Sequence, residues 1–119
     1  MKYHNKDPEK LVSWLTAEGF PVPDNLPPKL LEQKSIGCRR LKWSEGQVAI
    51  LCFNAETVYH LFIAQKAEFT DVDVSEAFEY KEMPKGWTMG KWEKDGYIFI
   101  LTSKATVGDL SAMLANYTP

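Results

Sequence analysis

The sequence predicts an α+β fold, an antiparallel sheet of about five strands with an N-terminal and a C-terminal helix on one face. Three observations carry this. Gly37–Ala64 holds three consecutive strand-like runs and the most apolar stretch of the chain. An Asp95-Gly96 turn separates two aromatic runs, a strong hairpin signal. A capped amphipathic segment stands near each end.

The elements follow in order. Residues 2–6 are short and polar and fit at most a short edge strand. Asp7-Pro8-Glu9 starts a helix over 8–18, with a capping Asp, Pro in the first turn and an early acid. Leu11, Val12 and Leu15 give that helix an apolar face flanked by Trp14, and Gly19 ends it. Phe20–Pro28 contains four prolines, which exclude regular structure and predict an extended connector. Its Phe20, Val22 and Leu26 are expected to be buried, and one helical turn is expected over Lys29–Gln33.

The strands of the meander are expected at Gly37–Trp43, Gln47–Phe53 and Thr57–Ala64. Val48, Ala49, Ile50, Leu51 and Phe53 make the middle one apolar on both sides, so it should be central. Ser44-Glu45-Gly46 is read as the first turn, with Gly46 supplying a positive φ. Residues 65–86 are acidic and read as a loop with one helical turn at Ser75–Phe78. The hairpin pairs Trp87–Trp92 with Tyr97–Thr102. Thr106 then caps a helix with Asp109 in a capping-box position. Val107, Leu110, Met113, Leu114 and Tyr117 form its stripe, and Pro119 stops it.

Composition bounds the function. A chain of 119 residues with 45% hydrophobic and 25% charged residues is a single globular domain. A net charge of −2 and the lack of a dense Lys/Arg run argue against nucleic acid and against a polybasic membrane surface. No apolar run of about 18 residues occurs, and Met1-Lys2-Tyr3-His4 does not read as a signal peptide. The chain is therefore expected to be a small cytosolic protein or a soluble piece of a longer one.

The chemistry-bearing residues are few. Cys38 and Cys52 are core residues, a cross-strand disulfide or a thiol pair. The turn decides their geometry. A three-residue turn sets Cys38 opposite Cys52, whereas a two-residue turn sends them to opposite faces. His60, in mid-strand, is read as a packed side chain, with a Cys52–His60 nucleophilic dyad as the sharper alternative. Trp87, Trp92 and Tyr97 are cross-strand packing partners or the lining of a ligand groove. Together with His60 they form the candidate binding surface. Glu68, Asp71, Asp73, Glu76, Glu79 and Glu82 lack calcium-loop spacing and read as a solvated acidic loop. No phosphate loop, nucleophile elbow or zinc-protease motif occurs. No catalytic, cofactor-binding or metal residue is expected, and the chain is not expected to be an enzyme.

Taken together, Asp7–Leu15 (DPEKLVSWL), Val22–Leu26 (VPDNL), Gly37–Phe53, Val58–Ile63 (VYHLFI), Gly86–Phe99 (GWTMGKWEKDGYIF) and Thr106–Tyr117 resemble a known pattern. It is that of the extracytoplasmic domain of bacterial transmembrane anti-sigma factors and related membrane-anchored proteins. The likeness spans nearly the whole chain in order. The family's cytosolic zinc-binding domain and membrane helix have no counterpart here, so sigma binding is not implied. The resemblance implies a periplasmic, non-catalytic sensory or interaction domain linked to transcription regulation. Its partner would be a protein or a small signal ligand, with membrane contact only through a segment outside this chain. It also implies an oxidising compartment, which favours the disulfide. The best-placed binding surface is then the acidic 65–86 excursion beside the aromatic hairpin. A cytosolic small-ligand-binding domain is the alternative.

Overall fold

A computed structural model of the chain describes residues 2–44 and 46–117. The strands are β1 (Lys2–His4), β2 (Lys34–Trp43), β3 (Gly46–Ala55), β4 (Thr57–Gln65), β5 (Glu79–Glu82), β6 (Thr88–Lys94) and β7 (Tyr97–Ser103). The helices are α1 (Pro8–Ala17), α2 (Pro28–Leu31) and α3 (Val107–Met113). The fold class is α+β, as expected. The sheet is larger, with seven antiparallel strands in the order β1-β2-β3-β4-β7-β6-β5. The edge strand expected near the N-terminus is β1. The other addition, β5, lies in the segment expected to be a loop. Its sequence EYKE has three charged residues around one inward Tyr80, which suits an exposed edge. The helical turn expected at Ser75–Phe78 is instead a bend, held by the Ala77 amide donating to Ser75 Oγ.

Cross-strand register sorts the sheet into two faces. One row, Tyr3-Cys38-Leu51-Leu61-Leu101-Gly90-Tyr80, crosses all seven strands on the helix side. A parallel row, Arg40-Ala49-Ile63-Phe99-Trp92, runs beside it. Leu11 and Leu15 of α1, Leu30 of α2 and Leu110 of α3 cover these rows and are fully buried. The core is therefore one helix-covered sheet face, and Tyr59, Leu61 and Ile63 of β4 point into it.

The helix starts behave as their sequences require. Asp7 accepts from the Glu9 amide, and Pro8 opens α1. Thr106 and Asp109 form a reciprocal capping box at α3. The final helix is shorter than expected, ending at Met113; Tyr117 packs from the turn beyond it, and Pro119 lies outside the described residues. The proline-rich connector is ordered as expected: Phe20 and Leu26 are buried. Tyr97 donates to the Pro21 carbonyl and Asn25 to Asp95, which pins the connector to the hairpin.

Asp95 and Gly96 both have positive φ (52° and 82°) between paired Lys94 and Tyr97, a two-residue hairpin that Asp-Gly favours. The β2–β3 turn corrects the expectation. Trp43 pairs with Gly46, so two residues connect the strands, and Ser44 carries the positive φ of 56°. Glu45 lies outside the described residues. Gly46 is required for close approach instead. A Cβ there would lie 2.7 Å from Glu68 Cβ and 2.8 Å from Phe69 Cε2.

Candidate functional site

The two-residue turn shifts the β2–β3 register by one and separates the cysteines. Cys38 faces Leu51 on the helix side, 4% exposed, while Cys52 pairs with Gly37 on the other face. Both are free thiols, so the disulfide expectation is not met. Burial raises the Cys38 thiol to about 11, and the charge of a Cys52 thiolate adds to that.

The candidate surface also divides. Trp92 is 0% exposed in the helix-side core, stacked on Phe99 and edge-on to Tyr117 and Phe78. Its indole donates to the Tyr117 hydroxyl at 3.1 Å. Tyr97 stands on the same side, holding the connector. Neither lines the pockets of the other face described below. They resemble groove aromatics in sequence only because a core pair and a binding pair use the same residue types. His60 and Trp87 do come together, on the opposite face, with ring centroids 6.0 Å apart.

Among the described residues no α-helix covers that opposite face, yet it is strongly apolar. Its rows are Leu41-Val48-Ala64-Ile98, then Arg39-Ile50-Phe62-Ile100-Lys91, then Gly37-Cys52-His60-Thr102-Met89-Lys81. Sequence reasoning took the two-sided apolarity of β3 as a sign of a central strand. It is central, but its second apolar side has no covering layer among the described helices.

At one end this face is walled by residues 66–75. Lys66 starts a one-turn 3-10 helix and donates its amide to the Gly96 carbonyl. Its ammonium pairs with Glu93 at 2.6 Å. Glu68 accepts from the Gln47 amide, and the Ser75 carbonyl accepts from the Glu93 amide. This strap brings Phe69 and Val72 over Val48, Phe62, Ile98 and Ile100, with Trp43 opposite. They line a half-open cavity of about 370 Å³, with Ser44 and Asp71 as its polar groups. Trp43 is 63% exposed and Val72 41% exposed, unusual for large apolar side chains. The volume falls within the small-ligand range, and an apolar lining with few polar groups is the usual design. The signal for this site lay in the paired faces of β3 and β4. Phe69 and Val72 could be added only by knowing where the strap lands.

At the other end, Cys52 and His60 sit directly across β3–β4, with Sγ 3.1 Å from Nδ1. Burial raises the Cys52 thiol, and the Arg39 charge pulls it partly back. Burial lowers the His60 imidazole, so the pair is a neutral thiol beside a neutral imidazole at pH 7. Among the described residues, no group of three metal-ligating side chains gathers, and no helix is long and apolar enough to cross a membrane.

The fold and this site thus define an antiparallel α+β domain with a half-covered apolar sheet. Comparison with family models, curated proteins and solved structures finds no match.

Proposed function

We propose that this chain is a non-catalytic binding domain that takes a small apolar molecule in the cavity beneath the 66–75 strap. The observation that supports it is the combination of an uncovered apolar sheet face with a 370 Å³ cavity walled by a tethered strap. Asp71 and Ser44 select the ligand's polar end. A carboxylate at the mouth disfavours anions and accepts from an amine or hydroxyl. The expected ligand has an apolar body and one neutral or cationic head.

Such a domain suits the sensory role that the resemblance to extracytoplasmic anti-sigma-type domains implies. In that setting it reads a small signal outside the cytoplasm for a membrane-anchored regulator. A region encoding an apolar segment of about 20 residues upstream of this domain would support that setting; a gene that starts at Met1 after an in-frame stop would remove it.

Thermal unfolding with octylamine, octanol and octanoate tests the cavity itself. A ligand at 100 times its Kd stabilises by about 2.7 kcal/mol. Stabilisation should fall in the order amine, alcohol, carboxylate, and Ala64→Phe, which fills the cavity from the β4 side, should remove it. Equal effects on wild type and Ala64→Phe would show that the cavity is not the site.

A further inference from the structure

The opposite end of the uncovered face carries a second feature, independent of the cavity. Cys52 and His60 form a hydrogen-bonded cross-strand pair. In the same row Thr102 follows His60, and Met89 follows Thr102. Met83, Pro84, Trp87, Met89 and Thr102 line a shallow apolar pocket of about 290 Å³. Its Trp87 ring lies beside the His60 ring. Strands are about 4.8 Å apart, so this pocket begins roughly 10 Å from the sulfur. The pair and the shelf lie on one side of the sheet, within reach of one small molecule.

We propose that Cys52 is a covalent acceptor site for soft carbon electrophiles, conjugated enals or enones with an apolar tail, with His60 as its proton acceptor and the Met83–Trp87–Met89 shelf as the tail's seat. The step balances within the pair. In the tautomer with the proton on Nε2, the Cys52 thiol donates to His60 Nδ1. As Sγ bonds to the β-carbon of the electrophile, the C=C π pair moves toward the carbonyl and the thiol proton passes to Nδ1. His60 then returns that proton to the α-carbon. The product is a thioether; nothing leaves and nothing is oxidised or reduced.

Several features favour this chemistry. A neutral imidazole can take a proton, whereas an imidazolium cannot. Arg39, on β2, contributes a positive charge that favours the developing thiolate. The other charged and titratable groups on this side are His4 and Lys81 on the row's edge strands, Lys91 and Glu79 in the neighbouring row, and Lys104, whose ammonium lies 5.5 Å from the Trp87 ring. Glu79, the carboxylate of that neighbouring row, stands on β5, four strands from Cys52. Cys38 supplies an internal reference, since it is buried on the other face. The modification is stoichiometric, so the domain need not turn over.

Maleimides perform the same addition and serve as probes. The native protein is reacted with N-methylmaleimide and N-benzylmaleimide, and adducts are located by peptide mass spectrometry. At pH 7 the expected result is a single adduct at Cys52, with Cys38 modified only after denaturation. His60→Gln keeps a hydrogen-bond acceptor but cannot take the proton. It should react at least tenfold more slowly at pH 7, the gap narrowing as rising pH ionises the thiol without a base. Relative to N-acetylcysteine, the benzyl reagent should gain severalfold over the methyl one on wild type, and Met89→Ala should lose that gain. Should His60→Gln unfold, the wild-type pH profile decides. A lone thiol loses tenfold in rate per unit below its pKa, whereas the assisted thiol loses less. Equal reactivity of Cys52 and Cys38, or a lone-thiol profile, overturns the nucleophile; no benzyl preference overturns the shelf.

Discussion

The Trp92–Tyr117 contact allows the closest energetic test of the core. Trp92 has no exposed surface, and its indole nitrogen donates to the Tyr117 hydroxyl at 3.1 Å. Trp92→Phe removes that bond, worth about 1 kcal/mol for neutral partners. It also leaves roughly 40 Å³ of cavity, which at about 24 cal/mol per Å³ adds about 1 kcal/mol. The stack on Phe99 and the edge contacts to Phe78 and Tyr117 are weakened as well. The total expected cost is about 2–3 kcal/mol, or a fall in Tm of roughly 10 °C at this chain length. Tyr117→Phe should cost about 1 kcal/mol, and the double variant about 1 kcal/mol less than the sum, because both remove the same hydrogen bond. Urea unfolding followed by far-UV circular dichroism measures all three. A Trp92→Phe cost below about 0.5 kcal/mol, or strict additivity, would refute the assignment of Trp92 to the core rather than to a binding surface.

Two further outcomes follow from the structure. The folded-state Cys38 thiol is raised from its ordinary 9.0 to about 11, so the unfolded chain loses its proton first. Stability is full below pH 9 and falls between pH 9 and 11, by about 2–3 kcal/mol from this group. Cys52 is raised too and adds a decline of the same sign. Denaturation midpoints across pH 8–11 should drop less steeply in Cys38→Ala. Separately, Gly46→Ala places a methyl against Glu68 and Phe69, so it should cost about 1–3 kcal/mol and weaken octylamine binding by moving the strap; unchanged affinity would detach the strap from the site.

The parts of the fold that could be read from the sequence are those fixed by local chemistry. Asp7-Pro8 and Thr106/Asp109 cap helices through their own side chains, and Asp95-Gly96 supplies two positive φ values. The β2–β3 turn misled because a glycine there is read as a turn residue. Gly46 is instead glycine because Phe69, 23 positions away, packs on it. That one-residue difference decided which face Cys52 occupies, and with it the disulfide. β5 escaped notice because an edge strand need not alternate. His60 and Cys52 were singled out, but their pairing depends on the Ala55–Thr57 turn, where Glu56 alone intervenes at φ 61°. Trp92 and Tyr97 carried two readings, packing partners or groove lining; the buried stack of Trp92 on Phe99 fits packing, and the choice stayed open because which side of a hairpin faces the helices is a tertiary fact.

Amide chemical-shift mapping with octylamine locates the ligand on the sheet. Saturable shifts are expected at Val48, Phe62, Ala64, Phe69, Val72, Ile98 and Ile100, and none in Ala64→Phe. Shifts spread over the helix side, or none at millimolar octylamine, would show that the cavity beneath the strap is not a binding site.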